Sequence, residues 1–284
     1  MMAVLETDRT IDAFLGAHPD IAAMPENTAH LLRMTRDVNC NTSELLKLVE
    51  QDAALSARIL KAVNSSFYAL ATKMTRLDRA IAFMGLGAVK EIALSCSMYK
   101  LCKDVELGPY RSRDLWDHSV AVAILCRELA VQSTTIDPED AFLAGMLHDV
   151  GLLLGAQCER EKYRDIIRKA ECGPALFMGL EQAVLGFSHC ELGERVSQKW
   201  KFPDFVSAVV RFHHEPQNAP EEWRMFCRHV YIADTQCAES PVGFPLSCST
   251  QQITEQDLQT ANISQEALAE VTAKLPMLLR LHLN

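Results

Sequence analysis

An all-α fold, built as a multi-helix bundle, is predicted by three features of this 284-residue chain. Apolar residues recur three and four positions apart in one segment after another, and no alternation of period two lasts more than a few residues. With 12 Gly and 11 Pro against 49% hydrophobic residues, little of the chain is left for irregular structure. The expected organisation is a smaller N-terminal helical part over residues 1–107, a helical core over 108–239, and a loop with a closing helix over 240–284.

Taken in order, Ile11, Phe14 and Leu15 share a helical face before His18, Pro19 and Asp20 break the chain. Met24 and Pro25 open a second helix carrying Leu31, Leu32 and Met34, and a polar break over 39–43 precedes Leu45, Leu46 and Val49, with Ser43 as N-cap. From Asp52 to Tyr68, Leu55, Ile59, Leu60 and Val63 form one face that stops at Asn64, Ser65 and Ser66. Residues 76–83 make a short amphipathic helix, and Gly85, Leu86 and Gly87 turn the chain into another over 88–101. The Gly-Pro pair at 108–109, set among charged residues, marks the internal boundary.

A long helix follows over 114–131, with Trp116, Val120, Ala123, Ile124 and Leu129 inward. Asp137 followed by Pro138 is a helix start, leading into the apolar run Ala141 to Gly155. Helices are expected over 159–170 and 174–185. Ser188 and His189 open another in which Leu192, Val196 and Trp200 stack four apart. Further helices run over 203–212 and 221–237, and a Ser-, Pro- and Gly-rich loop over 240–250 leads to a last helix over 264–281.

The formal net charge of −9 excludes a general affinity for nucleic acid or anionic membrane, since both reward clustered Lys and Arg. Ten cysteines, none in a C-x-x-C pair, read as reduced thiols. The N-terminus is too acidic and broken for a signal peptide, and no apolar run approaches the length of a membrane span. A cytoplasmic protein is expected.

Within the run Ala141 to Gly155, His148 and Asp149 stand side by side. A carboxylate there costs several kcal/mol unless it is paired or bound to a cation. Other His and Asp residues at helix ends or beside apolar runs are Asp114, His118, His189, His213, His214 and Asp234. A helix places Asp114 and His118 on one face, and Asp234 falls on a helix between apolar Ile232 and Cys237. These are the residue types of a mixed imidazole and carboxylate site for one or two divalent ions of iron, manganese, zinc or nickel. Asp114 is either a further ligand or a support to one.

The segments LWDHSVAVA, FLAGMLHDVG, LGFSHCELGERVSQKWKFP and VVRFHHEP, preceded by AMPENTAHLLRM, DAALSARILKAVNSSFY and LDRAIAFMGLGAVKEIAL, resemble the HDOD domain of bacterial signalling proteins. The resemblance spans Ile11 to Asp234. It implies a helical core like that of the HD superfamily of metal-dependent phosphohydrolases, whose HD-GYP branch cleaves cyclic dinucleotides. It further implies one metal on His118, His148, Asp149 and Asp234, with Asp149 bridging to a second on His189, His213 and His214. His148 and Asp149 are the catalytic candidates if the site turns over.

Two departures weigh against turnover. Leu152 stands where phosphodiesterase members carry a lysine after the HD pair and glycine, and Pro216, Gln217 and Asn218 stand where the GYP loop would follow. The missing lysine removes a source of charge stabilisation for a phosphoryl transition state. The resemblance therefore implies a metal-holding regulatory module whose partners are signalling proteins. The alternatives are an active phosphohydrolase with a phosphodiester or nucleotide ligand, and a metal-free protein-binding scaffold.

Overall fold

The computed structural model describes residues 2–22, 24, 26–36, 42–65, 67–100, 104–173, 176–238, 240 and 244–283. By its internal contacts the chain divides into two units, Met24–Leu101 with Lys274–Asn284, and Met1–Ala23 with Cys102–Ala273. The helices in chain order are α1 (Met2–Ala17), α2 (Pro19–Ala22), α3 (Glu26–Arg36), α4 (Thr42–Glu50), α5 (Ala53–Val63), α6 (Leu77–Met84) and α7 (Leu86–Tyr99). They continue as α8 (Ser112–Ser133), α9 (Pro138–Leu147), α10 (Val150–Cys158), α11 (Arg160–Cys172), α12 (Phe177–Leu185), α13 (His189–Lys199) and α14 (Asp204–Phe212). The last three are α15 (Arg224–Ala238), α16 (Glu255–Ala261) and α17 (Gln265–Leu283). The all-α expectation holds. A two-residue hairpin, Glu106–Leu107 paired antiparallel with Tyr110–Arg111, is the exception among the described residues. It turns at Gly108, whose φ of +79° suits the first position of a tight hairpin turn before Pro109.

In the unit holding α3 to α7, local sequence sets the helix ends. Asp52 caps α5, its Oδ1 accepting from Ala54 N and Leu55 N at 3.1 and 3.2 Å. Asn64 ends α5 and ties down the loop beyond it, donating to Leu60 O and Met74 O and accepting from Met74 N at 2.6 to 2.7 Å. Gly85, at φ +86°, lets α6 and α7 meet at a 113° bend. Leu31, Leu45, Val49, Leu55, Ile59, Val63, Ile81, Val89 and Ile92 form one buried cluster. Full burial of such a side chain is worth about 1.5–3 kcal/mol before the entropy of ordering it is subtracted. Ser43 is a correction: α4 already begins at Thr42, so Ser43 lies inside the helix, and residue 41 is outside the described residues.

The other unit is built around α8 and α9. The predicted inward residues of α8 are buried, with Val120, Ala123, Ile124 and Leu129 at 0% exposure and Trp116 at 2%. Asp137 caps α9 through Glu139 N and Asp140 N at 2.9 and 3.0 Å, with Pro138 at the first helical position. A Cβ at Gly145 would meet Ala123 Cα at 2.8 Å, so only glycine permits this approach of α9 to α8. The stretch Pro138–Cys158 also corrects the reading of apolar runs: it is long and apolar enough for a membrane span, but 89% of its apolar 18-residue window is buried within the protein, as in a core helix. Among the described residues no disulfide forms.

Candidate metal centre

Seven of the side chains singled out in the sequence arrive at one place, from five helices of the second unit and the joint between α9 and α10. His118 projects from mid-α8, and His148 closes α9. Between α9 and α10 stand His148, still at helical φ −53° and ψ −41°, and Asp149, which leaves helical geometry at φ −101° and ψ 21°. His189 is the first residue of α13, held there by a reciprocal cap between Ser188 and Glu191. His213 and His214 follow the end of α14, and Asp234 lies in α15. His118, His148, His213 and Asp234 are 0% exposed, and Asp149 and His189 are 1% exposed.

Asp149 faces two groups of histidines with its two oxygens. Oδ2 is 3.4 Å from His148 Nε2, whereas Oδ1 is 3.5 Å from both His189 Nε2 and His213 Nε2. Asp234 Oδ1 is 2.9 Å from His118 Nε2 and 3.6 Å from His148 Nε2. His189 Nε2 and His214 Nε2 are 3.0 Å apart. Donors that share a cation through bonds of about 2.1 Å lie roughly 3.0 Å apart in octahedral and roughly 3.4 Å apart in tetrahedral geometry. The observed spacings fall in and just beyond that range.

The backbone aims the rings. His148 Nδ1 donates to Gly145 O at 2.7 Å, and His213 Nδ1 lies 3.1 Å from Val209 O, so in each ring Nε2 is the nitrogen left for the centre. Those two Nε2 atoms and Asp149 Oδ1 are buried with no hydrogen-bond partner among the described residues. His229 makes the contrast. It too is buried, but its Nδ1 meets Met225 O at 3.0 Å and its Nε2 meets Ser133 Oγ at 2.9 Å, the pattern of a satisfied core histidine. Orphaned imidazole nitrogens beside buried carboxylates fit a divalent cation.

The electrostatics point the same way. Burial works against a charged His148, but Asp149 and Asp234 outweigh it and hold its pKa up at about 10. Burial likewise opposes the charge on Asp149 and Asp234, yet the imidazoles around them, His148 foremost for Asp149 and His118 for Asp234, keep both well below the usual carboxylate range. Burial together with neighbouring histidines pushes His214 well down. Burial also lowers His213, against the pull of Asp149. Without a cation, imidazole protons balance the carboxylates.

A pH prediction follows, with its sign set by His148. Because its pKa rises from 6.5 to about 10 on folding, the stability it contributes is complete below 6.5 and is lost as pH climbs through 10. A cation must expel that proton. Affinity for zinc or manganese should therefore rise about tenfold per pH unit between about pH 7 and 9, with proton release visible as buffer-dependent heat in calorimetry. An affinity flat across this range would mean that His148 is already neutral.

Three contributors escaped the sequence reading. Glu181, 0% exposed, accepts from His189 N at 3.0 Å through Oε2, which also lies 2.6 Å from His189 Nδ1. Its Oε1 accepts from Tyr163 OH at 3.0 Å, and Tyr163 has room because Gly155 carries no Cβ, which would sit 2.6 Å from that hydroxyl. Burial works against a charged His189, but Cys190 beside it and Glu181 hold its pKa well above the ordinary value. A signal was present: Glu181 interrupts the i, i+4, i+8 stripe Phe177, Glu181, Leu185, whose other members are buried apolar residues. Cys248 and Gln251 lie in a region read only as loop. Cys248 Sγ donates to Asp234 Oδ2 at 3.0 Å, and the Gln251 amide contacts His214 Nδ1. Asp114 caps the start of α8, its Oδ2 accepting from Arg111 N at 2.7 Å, and stands one turn from His118.

Glu181→Gln should weaken metal affinity about 10- to 100-fold while leaving the helical content unchanged, because it loosens the orientation of His189 without removing a ligand. Titration with a fluorescent zinc competitor measures this. Unchanged affinity would leave Glu181 a purely structural carboxylate.

The model of the HDOD domain matches residues 21–216. The chain is 24% identical over 221 residues to an uncharacterised protein of Treponema pallidum, and 29% identical over 136 residues to the uncharacterised protein YuxH of Bacillus subtilis. These matches cover 76% and 48% of this chain but only 42% and 32% of the relatives, so the chain spans less than half the length of either. Among solved structures, an HDOD domain protein of unknown function from Geobacter sulfurreducens superposes with a TM-score of 0.70 at 22% identity, covering 90% of this chain and 92% of its own. A protein of Shewanella amazonensis named as a candidate phosphohydrolase gives 0.70 at 23% identity, with 91% and 93% covered. A candidate signal transduction protein of Marinobacter aquaeolei gives 0.75 at 20% identity, with 91% and 57% covered. At these identities the likeness is one of fold.

Proposed function

Because the chain belongs to the HDOD domain family, we propose that it is a bacterial signalling module whose helical core holds one or two divalent cations and presents a partner-binding shape to other signalling proteins. The observation that carries this reading is the set of buried, unpartnered donor atoms on His148, Asp149 and His213, set against the fully satisfied His229. One cation would be held by His118, His148, Asp149 and Asp234, and a second by Asp149, His189, His213 and His214. When bound, such an ion supplies Lewis acidity and positive charge to the core. The chain's own residues orient the donors, through Gly145 O for His148 and Glu181 for His189, and exclude water from them.

Turnover is the second reading, and the burial that favours metal retention argues against it. A phosphodiester would have to reach side chains that are at most 1% exposed at His148 and Asp149, and Leu152, itself 1% exposed, offers no charge to a phosphate. A regulatory role places no such demand.

Elemental analysis of the purified protein tests the proposal, with His118→Ala and His213→Ala beside it. About two equivalents of iron, manganese, zinc or nickel, reduced in each variant, is the expected result. A protein free of metal after growth in metal-rich medium and after reconstitution would be a scaffold with a hydrogen-bonded relic. Hydrolysis of bis-p-nitrophenyl phosphate and of cyclic dinucleotides, compared with a His148→Ala, Asp149→Ala control, separates the regulatory reading from the enzymatic one.

A further inference from the structure

We propose that Cys248 gives the centre a nitrogen, oxygen and sulfur position, in which His214, Asp234 and Cys248 together hold a thiophilic divalent cation such as zinc. The inference rests on the reading that the core holds metal, and adds a position and a ligand chemistry which that reading lacks.

The two oxygens of Asp234 have different surroundings. Oδ1 faces His118 and His148, at 2.9 and 3.6 Å. Oδ2 is turned away from them, 3.0 Å from Cys248 Sγ and 3.9 Å from His214 Nδ1. Donor atoms of His214, Asp234 and Cys248 all lie within 4.8 Å of one another. At a tetrahedral zinc, with bonds of about 2.0 Å to nitrogen and oxygen and about 2.3 Å to sulfur, neighbouring donors are roughly 3.3–3.6 Å apart. The two distances at Oδ2 bracket that spacing, so modest side-chain rotations close the site.

Two more observations make Cys248 more than a chance neighbour. Its side of the loop is held inward: Cys248 is 4% exposed and Phe244 is 0% exposed, with the Phe244 ring 5.0 Å from Tyr110 and 5.8 Å from Phe177. The sulfur also adds charge: a Cys248 thiolate brings a negative charge beside the shared Asp234 carboxylate, and as the sulfur–metal bond forms the S–H proton now donated to Oδ2 leaves to solvent. Among the described residues His214 Nδ1 is contacted by the Gln251 amide and the more distant Oδ2; Gln251 is itself anchored by Thr235, whose Oγ1 donates to its Oε1 at 2.8 Å, so ligation by Nδ1 requires the amide nitrogen to turn aside about that anchor. Thiolate ligation selects zinc, or cobalt(II) as its spectroscopic stand-in, over magnesium or calcium.

The test is a cobalt(II) titration of the full chain after chelator treatment, read by absorption. The wild-type protein should show a near-ultraviolet thiolate-to-cobalt charge-transfer band together with visible ligand-field bands. Cys248→Ser and Cys248→Ala should lose the charge-transfer band and keep ligand-field bands from the remaining centre. Cys190→Ser should retain the charge-transfer band, although Cys190 also lies beside the histidines. Cobalt uptake without that band, or a band that survives at Cys248→Ser, overturns the proposal and leaves the metal-holding core standing; no cobalt uptake at all overturns both. Should the variants fail to fold, X-ray absorption of the zinc-loaded wild-type protein decides, through a sulfur scatterer at about 2.3 Å or its absence.

Discussion

Asp149→Asn is expected to empty the two positions that share this carboxylate, lowering bound metal by about two equivalents and sharply reducing the effect of chelator on the melting temperature. The two carboxylate oxygens face different histidine groups, Oδ2 toward His148 and Oδ1 toward His189 and His213. One substitution therefore takes a donor, and a negative charge, from both groups. An amide of the same shape keeps the packing but cannot balance a dication, so affinity should fall by more than the roughly 100-fold that marks loss of a supporting hydrogen bond. The metal-free protein changes as well. His148 loses the largest of the influences that hold its pKa at about 10, and its imidazole proton should then titrate much nearer its ordinary range, which NMR of the ring can follow. Retention of a full metal complement by Asp149→Asn would mean that this carboxylate only pairs with imidazolium, and would remove the shared-ligand arrangement.

Gly151→Ala should be the most destabilising single-methyl addition in the second unit. A Cβ at Gly151 would stand 2.0 Å from His189 O and 2.6 Å from Gly193 N. Both are backbone atoms of α13, so no side chain can swing aside and the two helices must part by more than an ångström. Overpacking of this kind costs about 3 kcal/mol, and a unit of this size loses about 2–4 °C in melting temperature per kcal/mol, so a fall near 10 °C is expected. Metal retention should fall with it, since Asp149 and His189 lie at the ends of the two helices being forced apart. Two comparisons isolate the cause. At Gly193 the closest atom is Val210 Cγ1 at 2.5 Å and the nearest backbone atom, Gly151 N, is 3.2 Å away, so the backbone overlap is smaller and Gly193→Ala should cost less; Gly16 has nothing within 4 Å and Gly16→Ala should be neutral. Thermal melts by circular dichroism rank the three, and equal melting temperatures for Gly151→Ala and Gly16→Ala would contradict the close helix approach.

Most helices were legible because their ends carry local chemistry. Asp137 with Pro138, Ser188 with Glu191, and Gly85 each act within a few residues, so the code is complete in the segment itself. The hairpin at Glu106–Arg111 was not, because two residues per strand are too few to show alternation. The seven-residue α16 was missed for its shortness, although Thr254 and Asp257 form a reciprocal cap at its start. In the candidate centre, His and Asp stood out where they break apolar runs. Glu181 shows locally only as the break in the apolar stripe of α12, and its meaning comes from Tyr163 and His189, eighteen and eight residues away. Cys248 had no local signal at all, because its neighbour Asp234 is on another element and only the path of the loop brings them together.

The break between α9 and α10 has a mechanical consequence. His148 and Asp149 occupy the joint itself, with Asp149 the one residue there outside helical geometry. A cation gripped by both would act as a pin through that joint: loading the pin and holding the two helix ends in register become a single equilibrium. Any protein that binds the loaded joint more tightly than the empty one then tightens the grip on the ion by the same factor by which the ion tightens its own binding, about 5- to 150-fold for couplings of ordinary strength.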